Sequence, residues 1–180
     1  DFINENIYYL GQAYAFTWQN NKIDLLFNGN HKSNNVDFDH YLKRLGYNFK
    51  NQNNELGGYT ILNNKKTSLI MDVGSSPDKK FSSNYQAGAL SFEIISNGKK
   101  LICNSGYFQD HNHQLNELSK SSAIHSTLIL DNRSSCKFLR TKNESSRLSN
   151  GLKILKKNIV FEKNYWKINV AHDGYLKQYG

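Results

Sequence analysis

Six histidines, His31, His40, His111, His113, His125 and His172, are the side chains of this sequence best able to ligate a metal or move a proton near neutral pH. Two of them stand two apart in Asp110-His111-Asn112-His113, a spacing that puts both imidazoles on one face of a strand, where they could share an ion. The surrounding residues are polar and loop-like, with Asp110 the one acidic neighbour. The pair therefore reads as metal ligands or as a solvated loop, and the loop is favoured. His125 is placed differently. It lies in Ser121-Ser122-Ala123-Ile124-His125-Ser126-Thr127-Leu128-Ile129-Leu130-Asp131, at the mouth of an apolar run that would fix its backbone and leave the ring facing a cleft. The alternative is a ring satisfied by the neighbouring Ser and Thr hydroxyls. His172 closes another apolar run beside Asp173 and Tyr175, a polar and aromatic cluster suited to lining a groove for sugar. The sequence holds no nucleophile elbow, phosphate loop, dinucleotide fingerprint or His-Glu-x-x-His pattern. Cys103 and Cys136 lack the C-x-x-C spacing of a zinc site and read as buried free thiols, with one disulfide open to them in an oxidising compartment.

These residues need elements to hold them. Apolar residues at Phe2, Ile3, Ile7, Leu10, Tyr14 and Trp18 keep close to helical spacing and predict a helix over 2–18. Ile23 to Phe27 reads as a short strand closed by Asn28-Gly29-Asn30, and Val36, Tyr41, Leu42 and Leu45 as a helix stopped by Gly46. From Gly57 the texture changes to short apolar runs between turn pairs. Strands are expected at 59–62, 68–73, 88–95, 100–104, 126–130, 137–140, 152–155, 158–163 and 165–173, with Asn97-Gly98 as the clearest hairpin tip. Runs of this density imply a mainly β protein. Each antiparallel sheet has an apolar face that must find another, so a β-sandwich is expected.

Composition narrows the partners. In 180 residues there are 23 Lys and Arg against 15 Asp and Glu, a net charge of +8, which favours an anionic partner. The cations are 19 Lys and 4 Arg beside 25 Asn, and they come as pairs such as Lys65-Lys66, Lys99-Lys100 and Lys156-Lys157, as hairpin tips and edge strands do. Nucleic acid is disfavoured because Arg, the residue of bidentate base and phosphate contacts, is scarce. No apolar run is long enough for a membrane span. The chain opens Asp1-Phe2-Ile3 without Met, in what reads as the middle of an amphipathic segment, and is expected to be a piece of a longer protein.

Four blocks in fixed order carry a resemblance: Tyr85-Gln86-Ala87-Gly88-Ala89-Leu90-Ser91-Phe92-Glu93, Leu101-Ile102-Cys103-Asn104-Ser105-Gly106-Tyr107, Lys120-Ser121-Ser122-Ala123-Ile124-His125-Ser126-Thr127-Leu128 and His172-Asp173-Gly174-Tyr175. Together they resemble the C-terminal β-sheet region of the heparinase II/III-like family. The resemblance implies an antiparallel β-sandwich over 57–180, with residues 1–48 as the end of a missing α/α toroid and its connector. It further implies eliminative cleavage of uronic-acid polysaccharides, glycosaminoglycans among them, by a protein of the periplasm or cell envelope. A base removes the proton at C5 of the uronate, an acid protonates the leaving oxygen, and the substrate carboxylate must be neutralised. The main catalytic residues would lie on the toroid, so this chain alone is expected to be inactive. Its own contribution would be one wall of the substrate cleft, built from His125, Lys120, Tyr107, His172 and Tyr175. Lys120 stands where the family usually has Arg, which keeps the charge and loses the bidentate grip on a carboxylate.

The family's zinc site and the His-x-His pair before the Leu-Ser-Phe strand fall here on Asn84, Gln86, Asn104 and His125. Only His125 keeps its type. Gln86 and Asn104 are neutral amides and argue against zinc, so no cofactor is expected and a hydrogen-bonded cluster around His125 is expected instead. The competing reading is a non-catalytic glycan-binding or structural sandwich that has lost its metal site.

Overall fold

The computed structural model describes residues 24–29, 35–47, 54–140, 146–163 and 165–180. The helix expected over 2–18 and His31 lie outside them. The chain is mainly β and antiparallel, as expected. Strands β1 (Glu55–Leu56), β2 (Tyr59–Asn63), β3 (Thr67–Asp72), β4 (Phe92–Ser96) and β5 (Lys99–Ile102) form one sheet in that order. Two smaller sheets follow, β6 (Lys137–Leu139) with β7 (Arg147–Asn150), and β8 (Ile154–Phe161) with β9 (Trp166–His172).

Local chemistry sets the five-stranded meander. Asn97 and Gly98 take φ of 48° and 75°, the left-handed pair a two-residue hairpin turn requires. Between β2 and β3, Asn64 Oδ1 accepts from the Lys66 and Thr67 amides at 2.9 and 2.7 Å and so closes the Lys65-Lys66 tip. Pairing of Ile61 with Ile70, and of Ile70 with Glu93, brings one face of the sheet into register. That face carries Ile61, Ile70 and Ile95, and it buries Leu25 and Phe27 from the segment 24–29. Each such side chain contributes roughly 2 kcal/mol of burial. The segment expected as a strand of the connector thus shares the sheet's core, and its described residues form no strand.

Glu93 alternates inward with Ile95 and is fully buried. Its Oε1 accepts from the Leu26 and Asn104 amides, both at 3.1 Å, and its Oε2 pairs with Lys100 Nζ at 2.9 Å. A buried charge survives only when paired and hydrogen-bonded. Here it ties β4 to the 24–29 segment and to the loop after β5.

Helix α1 (Asn35–Arg44) ends as expected: Gly46 has φ +77°, and Tyr47 N and Gly46 N donate to the carbonyls of Leu42 and Lys43 at 3.0 Å each. Two of the strand expectations after Gly57 fail. Residues 126–130 make no strand beyond a single bridge between Leu130 and Arg133, because Asp131 and Asn132 both turn left-handed (φ 48° and 54°). The Lys156-Lys157 pair lies inside one continuous β8 rather than between two strands, and Lys157 pairs there with Glu55 of β1. Asp110 to His113 is an exposed turn, the favoured loop reading, and it leads into an unanticipated helix, α2 (Gln114–Ser119), whose N-cap is His113, its Nδ1 accepting from Leu115 N at 3.1 Å. Cys103 and Cys136 are both free, and Cys103 is exposed rather than buried. No helix among the described residues is long and apolar enough to cross a membrane.

Candidate functional site

The loop from Tyr85 to Ser91, between β3 and β4, is the platform of the candidate site. Tyr85, Ala87 and Ala89 are buried with Cys136, Leu148 and Leu152, with Phe138 packed on them, so every second residue of the loop points into this second core. Leu90 takes φ +59°, an uncommon conformation for a leucine. It is held there by Leu90 N donating to the Asp72 carbonyl at 3.0 Å and Ser91 N to Gly88 O at 2.9 Å. Ala87 N donates to Lys120 O at 2.8 Å, which draws the segment 119–125 onto the platform. A Cβ at Gly88 would come within 3.3 Å of His125 Cγ, so the imidazole rests against a position with no side chain.

Gln86, Asn104 and His125, distant in sequence, are brought together here, with contacts that differ from the expected cluster. Gln86 Nε2 donates to the carbonyls of Gly106 (2.9 Å) and Ser119 (2.5 Å), and Gln86 Oε1 accepts from Gly29 N at 3.1 Å. Asn104 Oδ1 accepts from Ser126 N at 3.0 Å. Neither amide satisfies His125. Both imidazole nitrogens and Asn104 Nδ2 are buried and make no hydrogen bond of ordinary geometry, the Ser119 carbonyl being the polar group that faces the ring. Burial pulls the His125 pKa down to about 4, opposed by the Ser119 carbonyl, so the ring is neutral at neutral pH.

This donor set does not fit zinc. The side-chain oxygens of Gln86 and Asn104 already accept backbone N–H groups, and the unspent atom of Asn104 is a donor that would repel a cation. Zinc would be left with one imidazole and no anionic ligand. Among the described residues there is no group of three or more His, Cys, Asp or Glu able to hold a metal ion.

The resemblance put Lys120 in a substrate cleft, but the structure turns it inward. It is 1% exposed, and its Nζ donates to Ser83 O (2.8 Å), Ser146 O (2.6 Å) and Ser146 Oγ (3.0 Å), with the ring of Phe138 5.6 Å away. Burial lowers its pKa to about 8, opposed by Glu117. The ammonium that remains at neutral pH is spent on these oxygens and cannot grip a carboxylate outside. Tyr107 is buried, 9% exposed. Its hydroxyl is 3.4 Å from Ser83 O and 3.5 Å from Asn84 Oδ1, and it lines an open, mostly apolar depression of about 330 Å³ with Phe108, Leu115, Leu118 and Ile124. Gly106 and Ser119, whose carbonyls hold Gln86, line the same depression.

His172 and Tyr175 form a neighbouring cluster, their ring centroids 5.9 Å apart. His172 Nδ1 accepts from Gly174 N at 3.0 Å, and burial lowers its pKa against the opposing charge of Asp173. Tyr175 is buried, its hydroxyl 3.1 Å from both Leu128 O and Arg133 O. The pair therefore braces the loop that follows His125, and no contact joins it to the imidazole among the described residues. Sequence reasoning passed over Glu93 and Asp72. Each is a carboxylate inside an apolar strand run, Phe92-Glu93-Ile94-Ile95 and Leu69-Ile70-Met71-Asp72-Val73, and that placement was the available signal.

A family model described as "Heparinase II/III-like, C-terminal" matches residues 52–180. Among solved structures the chain is similar to one titled "Crystal Structure of Heparinase III", with 16% identity and a TM-score of 0.52 over 94% of this chain. At that identity the likeness is one of fold, and the chain spans 31% of the length of that structure. No curated protein matches.

Proposed function

The chain belongs to the heparinase II/III-like family through the match over residues 52–180, and from that premise we propose that it is the β-rich portion of a polysaccharide lyase cleaving uronic-acid glycans by β-elimination. In this reading residues 57–180 form one wall of the substrate cleft. Residues 1–48 join that wall to a helical toroid that carries the main proton-transfer groups. The observation that carries it on this chain is the open depression beside Tyr107, whose floor shares Gly106 and Ser119 with the shell around His125. A neutral His125, its proton affinity lowered by burial, cannot neutralise a uronate carboxylate. Lys120 is spent inside, so the charge that acidifies the C5 proton must come from elsewhere in the longer protein.

The test is the ultraviolet absorbance of unsaturated uronate when the full-length protein meets a panel of acidic glycans. Product from at least one glycan is expected, with none from the 180-residue chain alone; silence from folded full-length protein across the panel would sink the reading. We also propose that the protein works without bound zinc, because the amide oxygens at the family's metal positions are already engaged. Near-stoichiometric zinc in purified protein would overturn this.

The same commitment of Gln86 and Asn104 favours one second reading, a glycan-binding wall without catalysis. Glycan retention without product, unchanged by His125→Ala, would select it over the lyase.

A further inference from the structure

A second pocket, of about 250 Å³, is bounded by Tyr85 of the platform and has no part in the reading above. Its walls include Asn28, Tyr59, Asp72, Phe81, Asn84 and Tyr85. Asp72 ends β3 and is 5% exposed. Its Oδ1 accepts from Gly74 N at 3.1 Å and its Oδ2 from Asn28 Nδ2 at 3.0 Å. The same Asn28 nitrogen donates to the Tyr59 hydroxyl at 2.6 Å. The phenol oxygen is the acceptor in that contact, so its own proton is left for another acceptor. Among the described residues no Lys, Arg or His forms an ion pair with Asp72. The pocket thus presents a carboxylate stabilised only by neutral donors, an unspent phenolic donor beside it, the exposed amide of Asn84, and three aromatic side chains in its walls.

That combination has a chemical preference. A carboxylate next to a hydroxyl donor matches two adjacent hydroxyls, one donating to Asp72 and the other accepting from Tyr59. Aromatic walls suit the apolar face of a pyranose ring. A second carboxylate would meet the buried, uncompensated charge of Asp72. We propose that this pocket is a subsite for one neutral pyranose residue, held by its hydroxyls between Asp72 and Tyr59. The inference deepens the proposed glycan role by assigning a non-uronate sugar of the chain to this wall. It rests on that reading only for the polymer, since binding of a free sugar is a separate event.

The test is saturation-transfer NMR on the full-length protein with the methyl pyranosides of glucose, galactose, mannose and N-acetylglucosamine, set against glucuronate, galacturonate and glucosamine. At least one neutral pyranoside is expected to bind, about tenfold or more tightly than its uronate. Asp72→Asn is expected to weaken it about tenfold through loss of the charged acceptor. Tyr59→Phe keeps the ring and is expected to weaken it several-fold. The thermal unfolding of each variant is followed alongside, and if Tyr59→Phe does not fold, Asp72→Asn decides the question. Equal binding of uronate and neutral sugar, binding of glucosamine alone, an unchanged affinity in Asp72→Asn, or no saturation from any neutral pyranoside would each overturn the proposal. Failure of the lyase assay with neutral-sugar binding intact would remove the enzymatic reading and leave this one.

Discussion

Asp72 and His125 are buried titratable groups whose effects on stability oppose each other over nearly the same acid range. His125 is pulled from its ordinary 6.5 down to about 4, so between those values the unfolded chain binds a proton that the folded chain refuses. Stability is therefore lost as pH falls through that window. Asp72 is pushed from 3.8 up to about 6, chiefly by burial, so the folded chain holds the extra proton and stability is gained as pH falls. At about 1.36 kcal/mol per pH unit, acidification from pH 7 to 4 removes roughly 3 kcal/mol through His125 and returns roughly 2 kcal/mol through Asp72. Neither group perturbs the other, so the two effects add. Urea unfolding of the wild-type chain, His125→Gln, Asp72→Asn and the double variant at several pH values between 4 and 7 reads this directly. Relative to wild type, His125→Gln should gain about 3 kcal/mol across the range and Asp72→Asn should lose about 2 kcal/mol. The double variant should lie between them. Every other carboxylate is common to all four proteins and cancels in the comparison. Profiles of a single variant and the wild type that run parallel would refute the assignment of that group.

Three further outcomes follow from the packing. Lys120→Met keeps the stem of the side chain and strands three buried acceptors on Ser83 and Ser146, so it should cost about 3 kcal/mol or more in urea unfolding. Gly88→Ala puts a methyl 3.3 Å from the His125 ring and 3.2 Å from Ser91 Oγ, and should cost about 1–2 kcal/mol in the same assay, much of it recovered when His125→Ala is added. Gln86→Glu replaces the donor aimed at Gly106 O and Ser119 O by an anion, and a loss of about 3 kcal/mol at pH 7 should shrink in acid as the new carboxyl protonates.

The strands legible in the sequence are those whose apolar alternation and turn chemistry agree. β2, β3 and the β4–β5 hairpin about Asn97-Gly98 lie within a residue or two of where the pattern puts them, except that the run from Gly88 begins as the platform loop and pairs only from Phe92. The 126–130 run fails because its hydroxyls bond elsewhere: Ser126 Oγ donates to Cys103 O and Thr127 Oγ1 to Ala89 O, tethering the segment to two loops instead of to a strand. Helix α2 is six residues long, too short for a 3.6-residue period to register, and its cap is a histidine that invited a metal reading. At the site, the grouping of Gln86, Asn104 and His125 comes from the resemblance and not from any local pattern. The direction of Lys120 was not legible, because a local pattern cannot say that the carbonyls of Ser83 and the distant Ser146 converge on one ammonium.

The hold on Gln86 reaches beyond metal chemistry. Gly29 has φ +86°, and a Cβ there would come within 2.7 Å of Asn84 Cβ, so the Asn28-Gly29 turn lies almost flush on the 84–86 strip. Asn28 Oδ1 accepts from Gln86 N at 3.2 Å while Gly29 N donates to the Gln86 side chain, so the turn is latched by backbone and side chain of one residue. A histidine at 86 would lose the side-chain half of this latch and keep the backbone half, and so loosen the Asn28 amide that steadies Asp72 and Tyr59. One residue thus couples the two sides of its own contacts: a change of side chain at 86 is felt both at the Gly106 and Ser119 carbonyls and, through Asn28, at Asp72 and Tyr59.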